Sequence, residues 1–367
     1  MPAPEEALAE PRRMGPLAPA LVQWLRRHPG QPLRPRRAML WYRWSQWFFN
    51  YQLKMQRGLL KPQPLQIDPA FVLGPWRSGT TYLHELLSAS SAFTCPRTWQ
   101  CMAPASFGIT GAPRIQRSQS RPMDSFLVSA DSPQEDELAL LQLGLPSLYR
   151  AWLDPSRIGE LSGLLDSEAE ALDWAGYQPW LDFLGQVAAL DGEGSKQLLL
   201  KSPNHTFRAV ALLHRFPRSP CVWIHRSPEQ ILRSNQRMWH AMCRHYGLAP
   251  LRDADLNPFL LKALQRSADV LNRLSSTLPR DRFVVLELTA LRQSPVECTR
   301  AILQRWGREW TPAAEQAVSL VAQCHVTRQG QSDTAVSDIT WADTAMEALR
   351  NAQQKSLLSH GLERLPS

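Results

Sequence analysis

A short apolar run that ends in a polar turn opening a helix occurs repeatedly along this chain, and no other feature limits its fold as strongly. Phe71-Val72-Leu73 runs into Gly74-Pro75-Trp76-Arg77-Ser78-Gly79, Leu198-Leu199-Leu200 into Lys201-Ser202-Pro203, and Val222-Trp223-Ile224-His225 into Arg226-Ser227-Pro228. Val284-Val285-Leu286 reaches Ser294-Pro295-Val296-Glu297 after a longer connection. In the last three, Ser as N-cap and Pro at the first helical position form a start signal, with Gln230 and Glu297 at the capping-box position. Helical stripes follow: Leu83, Leu86 and Leu87; Phe207, Val210, Ala211 and Leu213; Ile302, Leu303 and Trp306. Strands alternating with helices predict an α/β fold, a mostly parallel sheet flanked by helices on both faces. Ligands of such sheets sit at the carboxyl ends of the strands, so the polar residues of these turns are candidates for one shared site.

The rest divides around that core. Residues 1–64 are expected to form a basic arm and an amphipathic helix, residues 65–330 the α/β domain, and residues 331–367 a helical tail. The arm is rich in Pro, Ala and Arg, and the helix carries a stripe of Leu40, Trp41, Trp44, Trp47, Phe48, Tyr51 and Met55. That stripe suits packing on the α/β domain, because exposed apolar stripes of this size are rare; its flanking basic residues also suit peripheral contact with an anionic membrane. Within the domain, residues 90–194 show no clear strand and many Trp, Pro and Leu residues, which predicts helices and long loops that wall the site on the acceptor side.

Charge narrows the partners. The chain carries 41 Lys+Arg against 33 Asp+Glu, a net +8, and eleven of those cations lie between Pro11 and Ile67 without one acid. The remainder is therefore slightly acidic, the basic residues lie away from the strand-end turns, and no nucleic-acid motif is present, which argues against nucleic acid as a partner. A 44% hydrophobic and 20% charged composition excludes a disordered chain. With no run of about 18 apolar residues, no signal-peptide core, and six scattered cysteines, a cytoplasmic location is the expectation. Nothing in the pattern reports the oligomeric state.

Gly74 to Thr81 has the spacing of a phosphate-binding P-loop, G-x-x-x-x-G-[K]-[ST], between a strand and a helix. Glycine lets backbone N–H groups close on phosphate oxygens, and the helix N-terminus adds its positive end. Thr80 stands where a nucleotidase has its Lys, while Arg77 supplies a cation two residues before the second glycine. The turns that would hold Mg²⁺ carry Lys201 and Arg226. This pattern suits an anion that reacts without metal and argues against the alternative of a small-molecule kinase.

Arg77-Ser78-Gly79-Thr80-Thr81, Lys201-Ser202-Pro203-Asn204-His205, and Arg226 with Ser234 eight residues on resemble the sulfotransferases that use 3′-phosphoadenosine 5′-phosphosulfate (PAPS). Arg121-Pro122-Met123-Asp124 and Pro133-Gln134-Glu135-Asp136-Glu137-Leu138 are similar to further blocks of the bacterial-type branch. The resemblance runs from about Phe71 to Arg308. It implies that Arg77, Ser78, Gly79, Thr80 and Thr81 bind the 5′-phosphosulfate of PAPS, that Arg226 and Ser234 bind its 3′-phosphate, and that Arg328, within Thr327-Arg328-Gln329-Gly330, stands at the basic stretch closing over that phosphate. Leu288-Thr289-Ala290-Leu291 departs from the family's Tyr-Glu-Asp-Leu block, which puts altered contacts near the adenine.

Sulfuryl transfer needs charge stabilisation on the leaving phosphate, alignment, and removal of the acceptor proton. Lys201, at a strand end and matching the family's lysine, is the candidate for the leaving oxygen, with Arg77 as a second cation. For the base there are three candidates. His205 falls in a first helical turn, where the positive end favours a neutral ring, although it stands four residues after Lys201 where the cytosolic branch has two. The acidic run Glu135, Asp136 and Glu137, with Glu137 foremost, is the rival, and His84 is the third. The acceptor expected is a small molecule, carbohydrate or lipid bearing a hydroxyl or amine.

Overall fold

The computed structural model describes residues 64–113, 118–124, 127–166, 172–190, 196–329 and 343–362. The arm and amphipathic helix expected over residues 1–64 lie, apart from Pro64, outside the described residues.

Each apolar run folds as a strand: β1 (Ala70–Leu73), β5 (Gln197–Lys201), β6 (Cys221–His225) and β7 (Phe283–Glu287). A two-residue strand, β2 (Phe93–Thr94), joins at one edge, giving a five-stranded sheet in the order β2-β5-β1-β6-β7 with every pairing parallel. The register sets Val72 beside Lys201 and Val222. Strands β1 and β5 are buried along their whole length, as expected of a parallel sheet covered on both faces.

Strand periodicity separates two cores. Phe71, Leu73, Leu198, Leu200, Trp223 and Val285 enter one, while Ala70, Val72, Leu199, Val222, Ile224 and Val284 enter the other. The second core is closed by helices α1 (Thr80–Ala89), α5 (Pro295–Arg305) and α6 (Pro312–Gln329). The larger first core is closed by α2 (Gln178–Leu190), α3 (Pro228–Tyr246), α4 (Asp253–Thr277) and α7 (Asp343–His360). Among the described residues no helix is long and apolar enough to cross a membrane.

Helix starts follow the Ser-Pro signals. Ser227 Oγ accepts from the backbone N–H of Gln230 at 3.3 Å to open α3, and Ser202 Oγ accepts from the N–H of Asn204 at 3.1 Å to open a 3₁₀ turn, Pro203–Arg208. The stretch expected to lack strands departs from that reading. Besides β2, it holds a small antiparallel pair, β3 (Gln119–Ser120) and β4 (Leu127–Val128); runs of two residues leave no periodicity to read. Its other described residues before α2 form loops and short helical turns, among them Thr98–Met102, Phe107–Thr110 and Glu137–Gln142.

Helix α7 lies in residues read as a tail, yet its Leu349 and Ala352 are core residues packed along α4. It also braces a strand-end turn, since Gln353 Nε2 donates to the carbonyl of Arg226 at 3.1 Å.

Candidate active site

The loop after β1 is fixed from below. Thr206 Oγ1 donates to the carbonyl of Gly74 and accepts from its N–H, both at 2.9 Å. Trp76 is 2% exposed; its Nε1–H donates to Asn204 Oδ1 at 2.9 Å, and its ring meets those of Phe207, Trp239 and Phe259. This indole anchors the loop in the first core. Gly79, at φ 107°, caps α1, and a Cβ there would stand 2.6 Å from Leu288 Cδ1. Arg77 adopts φ 67°, a left-handed conformation unusual for a residue with a side chain. No side chain caps α1, and with the Tyr82 N–H turned back to the Gly79 carbonyl at 3.1 Å, the N–H groups of Thr80 and Thr81 are left to an external acceptor. Within the loop, Ser78 Oγ is buried without a hydrogen-bond partner. An uncapped helix start with an orphaned hydroxyl in the preceding loop fits an anionic phosphosulfate.

Cations gather around this loop. Arg77 Nε donates to Ser234 Oγ at 3.0 Å and Nη1 to Asp124 Oδ2 at 3.0 Å, while Arg226 Nη1 donates to the carbonyl of Arg77 at 2.9 Å. Asp124 also receives both Arg121 Nε and Nη2. Burial alone would raise the Asp124 carboxyl, but the Arg121 and Arg77 guanidiniums outweigh it and hold the group below its ordinary range. Ser234 thus belongs with Arg77, which links it to Arg226 through the loop carbonyl.

Lys201, at the end of β5, is 2% exposed. Its Nζ donates to Glu135 Oε1 at 2.7 Å and to Thr81 Oγ1 at 3.4 Å, so it sits behind two groups that line the cavity described below. Burial lowers the ammonium below the ordinary lysine value, and the Glu135 carboxylate offsets part of that. Glu135 Oε2 accepts from the Tyr149 hydroxyl at 2.8 Å. Burial, followed by the charges of Glu135 and Glu137, pushes that phenol well above its ordinary value, so it stays a donor.

His205 and Glu137 are placed differently. His205 is 0% exposed; its Nε2 meets Asp136 Oδ1 and Oδ2 at 2.9 and 2.8 Å, and its Nδ1 accepts from Arg208 Nε at 3.1 Å. Glu137 is also 0% exposed, receiving Asn204 Nδ2 at 2.8 Å and Arg208 Nη2. Neither lines the main cavity. These two expected catalytic groups are therefore buried beneath the site with their polar atoms engaged. His84 is buried as well, with Nε2 unpartnered; burial and then the Lys201 charge hold its ring well below the ordinary histidine value.

The cavity itself is about 810 Å³. One part is made by the strand-end turns, with Arg77, Gly79, Thr80, Thr81, Pro203, Arg226 and Leu288 on its surface. Leu288 follows β7 directly, in the block that departs from the family pattern, and lies against Gly79 with Tyr82, Arg292 and His325 nearby on the wall. Much of the remaining lining is apolar and aromatic: Trp99, Met102, Met123, Trp152, Met238 and Tyr246. Tyr149 stacks on Trp152 with centroids 3.9 Å apart, and Trp152 lies parallel to Tyr246 at 6.5 Å. Arg328 falls in the last turn of α6, and its side chain lies outside the described residues.

Sequence reasoning pointed to the loop and Arg226, which line the cavity, and to Lys201, which lies behind its wall. It had no signal for Tyr149, Arg292 or His325, which reach the cavity from separate elements. Arg208 was equally silent: it is three residues past His205, and only the fold shows that both serve the same acidic run.

Residues 69–312 match the sulfotransferase family. The omega-hydroxy-beta-dihydromenaquinone-9 sulfotransferases Stf3 of Mycobacterium bovis and Mycobacterium tuberculosis are each 35% identical over 188 residues, which is 49% of this chain and 47% of theirs. The chain thus spans about half the length of the curated relatives it matches. Two crystal structures share the fold: sulfotransferase STF1 of Mycobacterium tuberculosis H37Rv, with TM-score 0.55 and 19% identity over 84% of this chain and 81% of that one, and STF9 of Mycobacterium avium, with TM-score 0.56 and 19% identity over 86% and 82%. With strand order, loop and family match in agreement over the same residues, the chain belongs to the sulfotransferase family.

Proposed function

We propose that this protein transfers a sulfuryl group from PAPS to a hydroxyl on an acceptor with a large apolar body, a lipid in the first instance. The observation that carries the reading is one cavity: the Gly74–Thr81 loop opens onto it beside the Glu135–Lys201 pair, and an apolar aromatic wall lines the same space. The named activity of the Stf3 relatives, on a hydroxylated menaquinone, supports a lipid hydroxyl.

In this reading the loop N–H groups, Ser78, Thr80, Thr81 and Arg77 hold the phosphosulfate, while Arg226, Ser234 and Arg328 serve the 3′-phosphate. Glu135 is the base, because it is the one member of the acidic run on the cavity wall. It takes the acceptor O–H proton as the acceptor oxygen bonds to sulfur, and the bond from sulfur to the 5′-phosphate oxygen breaks. The charge left on that oxygen is met from behind the wall by the Lys201 ammonium, whose Nζ donates to Thr81 Oγ1 on the cavity surface, and no metal is required. Tyr149, donating to Glu135, fixes the carboxylate against the wall. Residues 90–194 form the acceptor side of a 65–330 unit, and a cytoplasmic location with residues 1–64 at the membrane surface fits a lipid acceptor.

Thermal stabilisation measured with 3′-phosphoadenosine 5′-phosphate, without metal, tests the donor site; stabilisation by Mg·ATP alone would instead mark a kinase. Radiolabelled PAPS incubated with a hydroxylated isoprenoid and with a polar sugar tests the acceptor. Transfer to the isoprenoid is expected, and transfer to the sugar alone refutes the lipid assignment.

A further inference from the structure

Three consecutive acids meet three bases one to one: Glu135 with Lys201, Asp136 with His205, and Glu137 with Arg208. The bases are spaced four and three residues apart over a strand end and the 3₁₀ turn Pro203–Arg208, so they rise as a column, and the acids lie at the entry to the helix Glu137–Gln142. Only the first rung reaches the cavity. Side-chain exposure is 12% at Glu135 and 0% at Asp136 and Glu137.

We infer that the second and third rungs are a positioning frame for the first, and that His205 acts through Asp136 without touching substrate. This rests on the reading of Glu135 and Lys201 as the catalytic pair.

Hydrogen-bond direction assigns the role. Arg208 Nε–H points at His205 Nδ1, so that nitrogen holds no proton; the ring proton is on Nε2 and is donated to Asp136. Neither nitrogen has a lone pair facing the cavity, and the ring is fully enclosed between Phe71 and Trp180. Such a ring cannot collect a proton from an acceptor. It can hold Asp136, which also receives Trp180 Nε1 at 3.1 Å. Asp136 is the next residue along the chain from Glu135, so clamping its carboxylate fixes the backbone from which Glu135 projects. The third rung extends the frame: Glu137 takes Asn204 Nδ2, whose Oδ1 takes Trp76 Nε1 from the phosphate loop. A continuous chain of buried hydrogen bonds therefore runs from Asp136, the neighbour of the catalytic acid, through His205, Arg208, Glu137 and Asn204 to the loop that would hold the donor. Misplacement of a reacting group by about 1 Å costs roughly 100-fold in rate, the scale on which such a frame matters.

The test compares His205→Gln, His205→Ala and Glu135→Gln by kcat, KM for PAPS and the acidic limb of the pH–rate profile. Thermal stabilisation by 3′-phosphoadenosine 5′-phosphate reports folding and donor binding for each. Gln keeps an N–H for Asp136. It should retain kcat within about tenfold and leave the acidic limb in place, whereas Ala should lose about 100-fold in kcat with KM for PAPS within about twofold. A Gln variant as inactive as Glu135→Gln, with the acidic limb gone, would make His205 the base and overturn the inference. An Ala variant with lowered Tm and normal kcat would reduce the frame to a structural core and overturn it too. Should His205→Ala not fold, Trp180→Phe removes a single hydrogen bond to Asp136: a several-fold fall in kcat at unchanged KM supports the frame, and an unchanged kcat sinks it. If wild-type protein itself gains no stability from the nucleotide, it is the underlying reading of the cavity that fails.

Discussion

The polar and the apolar parts of the cavity lining are built by different rules. At the strand-end side, each polar group follows its strand by one or a few residues, and backbone geometry decides where it points: Gly79 at positive φ, Arg77 in the left-handed region, Ser202 and Ser227 as caps. On the apolar wall, side-chain volume decides, and the residues come from four separate segments: Trp99, Met123, Trp152, and Met238 with Tyr246 on α3. The first kind of site tolerates almost no change of residue type and leaves a motif. The second accepts any set of side chains that fills the same space.

That contrast can be broken experimentally, and the largest effects belong to the polar part. Lys201→Ala should lower kcat by about 10²–10³, the usual cost of removing one preorganised charge-stabilising donor. Because burial lowers the Lys201 ammonium below its ordinary 10.5, wild-type activity should fall with rising pH through a limb below that value; a limb at or above it would remove Lys201 from the chemistry. Next comes Gly79→Ala. Left-handed backbone costs a side chain about 1–2 kcal/mol, and its Cβ would meet Leu288, so 3′-phosphoadenosine 5′-phosphate affinity by calorimetry should drop by about tenfold.

The wall should respond more gently and in another parameter. Met123→Ala is expected to raise acceptor KM by about tenfold, as a pocket methylene or two would, with nucleotide affinity unchanged. Equal losses in both would mean that the two parts are not independent. Smallest of all is Asp124→Asn. It removes a carboxylate that competes for Arg77, and at about 1 kcal/mol for such a partly exposed pair nucleotide binding should tighten by about twofold to fivefold. Weaker binding would show instead that Asp124 holds Arg77 in place.

The same division explains what could be read from the chain beforehand. Strands β1, β5, β6 and β7 announce themselves as continuous apolar runs because both faces of the sheet are covered, and the Ser-Pro starts mark the helices that follow. The loop and Lys201 are legible for the same reason. Tyr149 and Tyr246 are not, since a stacked wall has no spacing rule. The acidic run was legible as a cluster, but not which acid faces the cavity; consecutive residues at a helix entry diverge in direction, and only the column of Lys201, His205 and Arg208 separates Glu135 from its two neighbours. For His205, the helix-start position was read correctly and its access was not, because burial by Phe71 and Trp180 depends on elements distant in sequence.

Arg77 carries a consequence for anyone engineering this protein. Its left-handed backbone is a site where glycine, or to a lesser degree asparagine, would relieve about 1–2 kcal/mol, so a library screened for thermostability alone would drift toward those residues at position 77. Such variants would also discard the guanidinium that reaches Ser234 and Asp124. Heat resistance and turnover are set against each other at one residue, and a screen that scores only the first would select for catalytic loss.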